Sequence, residues 1–135
     1  MAVQLSVAVR NARLDAIETT IGTSAVLKIR TGAQPATCAT ADSGTVLATL
    51  NLPSDYLGNA SSGTKSKSGT WEDASADASG TAAHWRLYAS DGTTCHAQGT
   101  VTATGGGGDM TVDNTTFAAG QAFTITGWAF TDANA

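Results

Sequence analysis

The residues whose types could do chemistry are few. Cys38 and Cys95 are the only cysteines and His84 and His96 the only histidines. Cys95 with His84, His96 or Asp91 supplies the types of a nucleophile, a base and an orienting acid. Such a group works only within hydrogen-bond reach, and nothing places Cys95 on a helix N-terminus or a strained elbow. Asp109 and Asp113 are two carboxylates with Met110 and Val112 between, short of the six to eight oxygens calcium takes. Two histidines leave zinc short of ligands, and neither cysteine belongs to a CxxC pair. Gly105 to Gly108 has no following Lys-Ser/Thr and no helix opening after it, so it reads as a turn and not as a phosphate loop. Asn114 reads as a turn residue. The expectation is no catalytic residue, no metal and no cofactor.

Of the three tryptophans, Trp85 reads as core from the alternation around it. Trp71 and Trp128 stay open between core packing and an exposed sugar-binding platform. His84 and Arg86 share one strand face, which a surface patch would explain. If the chain turns back at Asp91-Gly92, the two histidines lie on paired strands.

The elements that must position these groups are read from periodicity. Val3 to Ile21 holds no Gly or Pro, and Leu14, Ile17 and Ile21 recur at i, i+3, i+7, with Val7 and Arg10 on the same stripe. This predicts an N-terminal helix ending at Gly22, a favoured helix-terminating residue. The alternation of Val3, Leu5, Val7 and Val9 leaves a strand open for that stretch. Arg10, Arg13, Asp15 and Glu18 read as a solvated outer face. Beyond Gly22 the character turns to β. Strands are expected over 25–30, 45–52, around 70–72, 82–89, 94–104, 110–117 and 122–131, with Asp91-Gly92 and Ala119-Gly120 as turns and a bulge at Gly127. Asn59 to Ser68 reads as a Gly/Ser/Lys-rich loop. The fold expected is mainly β, an antiparallel β-sandwich or jelly-roll-like barrel of seven or eight short strands behind an N-terminal helix. The division is 1–22 as helix or arm and 23–135 as β-sandwich, one domain overall.

Composition limits the function classes. The chain has 135 residues, a net charge of -4, 41% hydrophobic and only 13% charged residues, with Thr, Ser, Ala and Gly filling the gap. Low charge argues against disorder. A pI near 4.8 argues against nucleic acid, which requires a Lys/Arg surplus. No apolar run approaches a membrane span, and the first residues lack the pattern of a secretory signal. The expectation is a soluble protein made in the cytoplasm, with no membrane partner and with reduced, half-buried cysteines.

The stretches Leu5 to Glu18, Ile21-Gly22 and Leu27 to Ala36, followed by Gly107 to Asn114, Ala119-Gly120-Gln121 and a terminal β run, resemble small virion structural proteins of tailed bacteriophages, of the head decoration or cement kind. The resemblance covers nearly the whole chain and carries no catalytic motif. It implies a non-enzymatic particle component synthesised in the host cytoplasm. The partners implied are the major capsid protein or other virion proteins, and a symmetric homo-oligomer is consistent with virion symmetry. Neck, tail-tube or tail-tip placement is the alternative within the particle, and a carbohydrate-binding host-attachment module the alternative outside it. The candidate interface residues are Arg10, Arg13, Asp15, Glu18, Trp71 and Trp128. Leu14, Ile17 and Ile21 are expected to pack the helix on its own sheet, leaving Arg10 and Arg13 for either role. Low charge lets copies pack closely without strong repulsion, so much of the surface is expected to be covered in the working state.

Overall fold

The computed structural model describes residues 3–132. The helix α1 spans Val7–Ile21. It begins later than the Gly/Pro-free run because Ser6, extended at φ -63 and ψ 158, caps it by accepting a hydrogen bond from the Val9 amide at 3.2 Å. That cap resolves the strand alternative for Val7 and Val9 in favour of helix. At the other end Gly22 takes φ 93 and its amide donates to the Glu18 carbonyl at 2.9 Å. Leu14 and Ile21 are buried and Ile17 packs against the core, whereas Val7 is exposed despite sharing their stripe. Among the described residues no helix is long and apolar enough to cross a membrane.

Ten strands follow: β1 Val26–Arg30, β2 Val46–Asn51, β3 Thr64–Ser66, β4 Glu72–Asp73, β5 Gly80–Thr81, β6 His84–Tyr88, β7 Cys95–Ala103, β8 Met110–Val112, β9 Thr116–Phe117 and β10 Phe123–Thr131. Eight form one sheet in the order β2-β1-β6-β7-β8-β10-β3, with β4 also paired to β10, and β5 and β9 form a small second sheet. The mainly β architecture behind one helix is as expected. The sheet rolls so that β2 packs near β4, and the Asp77 amide after β4 donates to the Leu47 carbonyl of β2 at 2.7 Å. No ladder joins these two strands, so the roll stays open and is not a closed barrel.

The sheet is mixed, not wholly antiparallel, because β7 and β8 run parallel, with Val101 opposite Met110 and Ala103 opposite Val112. Parallel neighbours ordinarily need a crossover of a dozen residues or more. Here the glycine run returns the chain in far fewer. Gly105 and Gly107 take φ 86 and 81, and a Cβ on Gly106 or Gly108 would fall 2.8 or 2.9 Å from Thr102 side-chain atoms. The run is therefore a turn folded flat against β7, fastened by the Gly108 amide on Thr102 Oγ1 at 3.0 Å. The expected strand over 110–117 is split in two. Asn114 Oδ1 accepts from the Thr116 amide at 3.0 Å, and β9 pairs with β5. The bulge at Gly127 is present, the register shifting between Ile125 and Gly127. The expected loop over 59–68 contains β3, whose Lys65 lies opposite Phe130. A three-residue strand with lysine at its centre carries no apolar alternation, and β10 supplies its pairing from far along the chain.

The core gathers around Trp128. Its ring lies 5.1 Å from Trp71, 5.5 Å from Trp85 and 4.3 Å from Phe130, centroid to centroid. These tilted and edge-on contacts suit aromatic quadrupoles. Gly99 on β7 leaves the space that Trp85 fills: an added Cβ would stand 2.8 Å from the indole ring. Gly99→Ala should therefore destabilise the protein by about 2 kcal/mol through overpacking. Denaturant melts of the variant against the parent would check this, and an unchanged midpoint would contradict it.

Candidate functional site

The first group of polar side chains joins α1 to the sheet. Lys65 is 2% exposed, and its Nζ donates to Asp15 Oδ1 at 2.7 Å and pairs with Glu18 Oε2 at 3.2 Å. Asp15 Oδ1 also accepts from the Ala60 amide at 3.0 Å, and Asn11 Oδ1 from the Gly63 amide at 2.9 Å. Asn11, Asp15 and Glu18 stand at i, i+4, i+7, on one helix face. On the neighbouring side Arg10 Nη1 donates to the Asp132 carbonyl at 3.2 Å and Arg13 Nη1 pairs with Asp132 Oδ2 at 3.1 Å. Gly63, at φ 75, lets the Arg10 guanidinium lie against it, since a Cβ there would fall 2.2 Å from Nη1. The face expected to be solvated is thus the face that fastens the helix. The hydrogen bond from Lys65, then that from Ala60, holds the Asp15 carboxyl below its ordinary 3.8. Burial pushes the Lys65 ammonium down, but the two carboxylates outweigh it and leave it above its usual value. An open polar groove of about 530 Å³ runs beside this clamp, with Asp15, Glu18, Ser54, Asn59 and Lys65 in its lining.

The second group lies under the segment 33–44, a strap that connects β1 to β2. On β1 and β6, Arg30 stands opposite His84 and Lys28 opposite Arg86. Asp42 reaches down from the strap to this face. Its Oδ2 accepts from Arg30 Nη2 at 2.8 Å and its Oδ1 from the Tyr88 hydroxyl at 2.7 Å and from Arg86 Nη1. Arg86 Nη2 donates to the carbonyls of Thr37 at 3.2 Å and Cys38 at 2.9 Å, and Gln98 Nε2 to that of Pro35 at 2.8 Å. His84 Nδ1–H donates to the Gly32 carbonyl at 2.8 Å. His84 and Arg86 are 0% and 1% exposed, so they form no surface patch; the strap covers the face that alternation assigned to solvent. Burial raises Asp42, yet the bonds from Tyr88 and Arg86 and the charge of Arg30 bring it below 3.8. Burial, then the bond to Asp42, pushes Tyr88 up to about 12. Burial holds His84 below 6.5 despite its bond to Gly32, with Arg30 and Arg86 adding to the depression.

The remaining chemistry-bearing residues are not assembled into a reaction centre. His84 stands opposite Thr100, several positions along β7 from His96. Cys95 Sγ donates to the Ala97 carbonyl at 3.4 Å, and Cys38 and Cys95 are both free and half-buried. Trp71 and Trp128 are 1% and 4% exposed, which places both in the core and leaves no ring face for a sugar. Asp109 Oδ2 accepts from the Thr100 amide at 2.9 Å and Asp113 Oδ1 from the Thr124 amide at 3.3 Å, so these carboxylates satisfy separate backbone groups. Among the described residues no group of three or more His, Cys, Asp or Glu could hold a metal ion. Lys65 and Asp42, the residues that organise the two groups, carry no signal that sequence reasoning singled out. Each lies in a stretch of small polar residues, and its partners are distant.

All seven cations of the chain donate within it: besides those above, Lys28 Nζ reaches the Gly92 carbonyl at 3.0 Å and Lys67 Nζ the Gly69 carbonyl at 2.9 Å. Among the described residues the exposed large apolar side chains are all near the N-terminus: Val3 78%, Val7 49% and Val9 46% exposed. Comparison of the chain with protein-family models, curated proteins and solved structures found no match.

Two predictions follow from the clamps. The Asp15 and Asp42 carboxyls are held below 3.8 in the folded state, so their contribution is complete above that pH and is lost as pH falls through the lower folded values. His84, lowered from 6.5, adds a loss of stability that begins as pH drops below 6.5. In an acid titration followed by amide NMR, α1 and the strap should loosen while β6 and β7 still hold; simultaneous loss everywhere would contradict this. The helix clamp should also respond asymmetrically. Lys65→Met removes a buried charge whose carboxylates reach solvent, and should cost less than about 1 kcal/mol in a thermal melt. Asp15→Asn with Glu18→Gln strands the ammonium and should cost clearly more. The reverse order would mean that the ion pair is not what fastens the helix.

Proposed function

We propose that this chain is a non-enzymatic structural protein of a tailed-phage virion that decorates or cements the capsid as a symmetric oligomer, with the major capsid protein as its partner. The resemblance of the N-terminal and glycine-rich C-terminal patterns to such proteins supports this reading, and so does the distribution of polar groups. Arg10, Arg13, Asp15 and Glu18 serve internal fastening, with Arg13 and Asp15 still 53% and 49% exposed. The attachment element is the apolar stretch that precedes and opens α1.

The observation that carries the reading is the exposure of Val3, Val7 and Val9 beside a domain that already has its own core. Apolar side chains left in water next to a well-packed domain gain about 25 cal/mol per Å² when a partner covers them. Repetition over a symmetric shell multiplies a modest contact. A surface poor in charge, with Arg30, Lys65 and Arg86 buried, resists close packing of copies less than a strongly charged one does.

The test is co-sedimentation with the phage's capsids stripped of this protein. The parent chain should bind, and a variant carrying Val3→Asp, Val7→Asp and Val9→Asp should lose binding at least ~10-fold, the value of about 1.4 kcal/mol, while its melting temperature is unchanged. A parent chain that does not bind the head, or a reconstruction of the particle with this protein only at the neck or tail, would overturn the capsid assignment.

A further inference from the structure

The geometry points to Cys38 and Cys95 as an intramolecular disulfide site, which on oxidation locks the 33–44 strap covalently onto the β6–β7 face. The two cysteines, 57 positions apart in the chain, come to the same face: the Cys38 carbonyl holds Arg86 of β6, and Cys95 stands opposite Tyr88, whose hydroxyl bonds Asp42 of the strap. The backbone on both sides is held in place. On the strap, the Cys38 carbonyl accepts from Arg86 Nη2 at 2.9 Å, and Pro35 and Asp42 are anchored on either side of it. On the sheet, Cys95 lies opposite Tyr88 just past a bulge between Leu87 and Tyr88, an irregularity of the kind that re-aims a side chain. Both cysteines are half-buried rather than enclosed, so a small oxidant can reach them without unfolding the chain.

The oxidant the site takes is a small-molecule disulfide. Cys38 lies on the strap between exposed Thr37 and Ala39, where a small oxidant meets it first, and burial pushes the Cys95 thiol up; Cys38 is the first nucleophile. Cys38 gives its proton to solvent and its thiolate attacks one sulfur of the oxidant. A mixed disulfide forms as the oxidant's S–S bond breaks and one small thiolate leaves. Cys95 then gives up its proton and attacks the Cys38 sulfur, and the second small thiolate departs. In sum, two protein thiols are oxidised and one small disulfide is reduced to two thiols. The product closes a long loop, which constrains the unfolded chain, and it makes the strap's attachment independent of the Asp42 carboxylate.

The reduced full-length chain is incubated with oxidised glutathione under native conditions, blocked with an alkylating agent and measured by intact mass and by peptide mapping without reductant. The expected result is a monomer lighter by two hydrogens, with one peptide linking Cys38 to Cys95, a melting temperature higher by roughly 10 °C and full reversal by dithiothreitol. Cys95→Ser should instead accumulate the glutathione adduct at Cys38, and Cys38→Ser should leave Cys95 unmodified over the same time. Glutathione adducts on both cysteines of the parent, a link between two chains, or two thiols still free when the urea-unfolded chain has reacted would each overturn the proposal.

Discussion

A cation taken out of water must be met by an opposite charge, and in this protein that requirement places the two segments outside the sheet. Arg30, Lys65 and Arg86 are 7%, 2% and 1% exposed. Desolvating such a group costs several kcal/mol unless partners are supplied in good geometry. The sheet supplies few of them. Asp15 and Glu18 come from α1 and Asp42 comes from the strap. Either segment could leave only by stranding a buried charge, which makes these contacts different in kind from exposed ion pairs, commonly worth under about 1 kcal/mol.

The same requirement explains why β6 is buried throughout. Its inward side carries Trp85 and Leu87 into the aromatic core around Trp128, and its outward side carries His84, Arg86 and Tyr88 under the strap. The domain therefore has a second, polar interior beside the apolar one. A chain with only 13% charged residues spends its cations on these interior contacts and on nearby carbonyls. Carboxylates such as Asp91, which accepts from the Thr93 and Thr94 amides, finish turns on the outside. The result is a slightly acidic surface with an uncovered apolar N-terminal stretch, the combination on which the virion proposal rests.

Local rules were legible in the sequence and distant partnerships were not. Gly22 as the helix end, Asp91-Gly92 as a tight turn and Gly127 as a bulge depend on backbone freedom within a few residues. The 3.6-residue spacing of Leu14, Ile17 and Ile21 marks their shared face for the same reason. By contrast, the alternating charges of α1 look solvated unless Lys65, 50 positions away from Asp15, is known to face them. The outward face of β6 looks exposed because the strap that covers it is a stretch of small polar residues without periodicity. The parallel pairing of β7 and β8 depends on how tightly four glycines fold against Thr102, which composition alone does not express. Trp71 and Trp128 were open between two roles because the alternation that marks a buried strand face is weakest where strands are short or bulged.

The central claim is that carboxylates donated from outside the sheet hold buried cations, and through them the segments that carry them. A double-mutant cycle on Asp42→Ala and Arg86→Met, read as unfolding free energies in denaturant, tests it most directly. The account predicts a coupling of about 2 kcal/mol or more, with the double variant more stable than the sum of the single losses implies. Losses that add to within about 0.5 kcal/mol would contradict it.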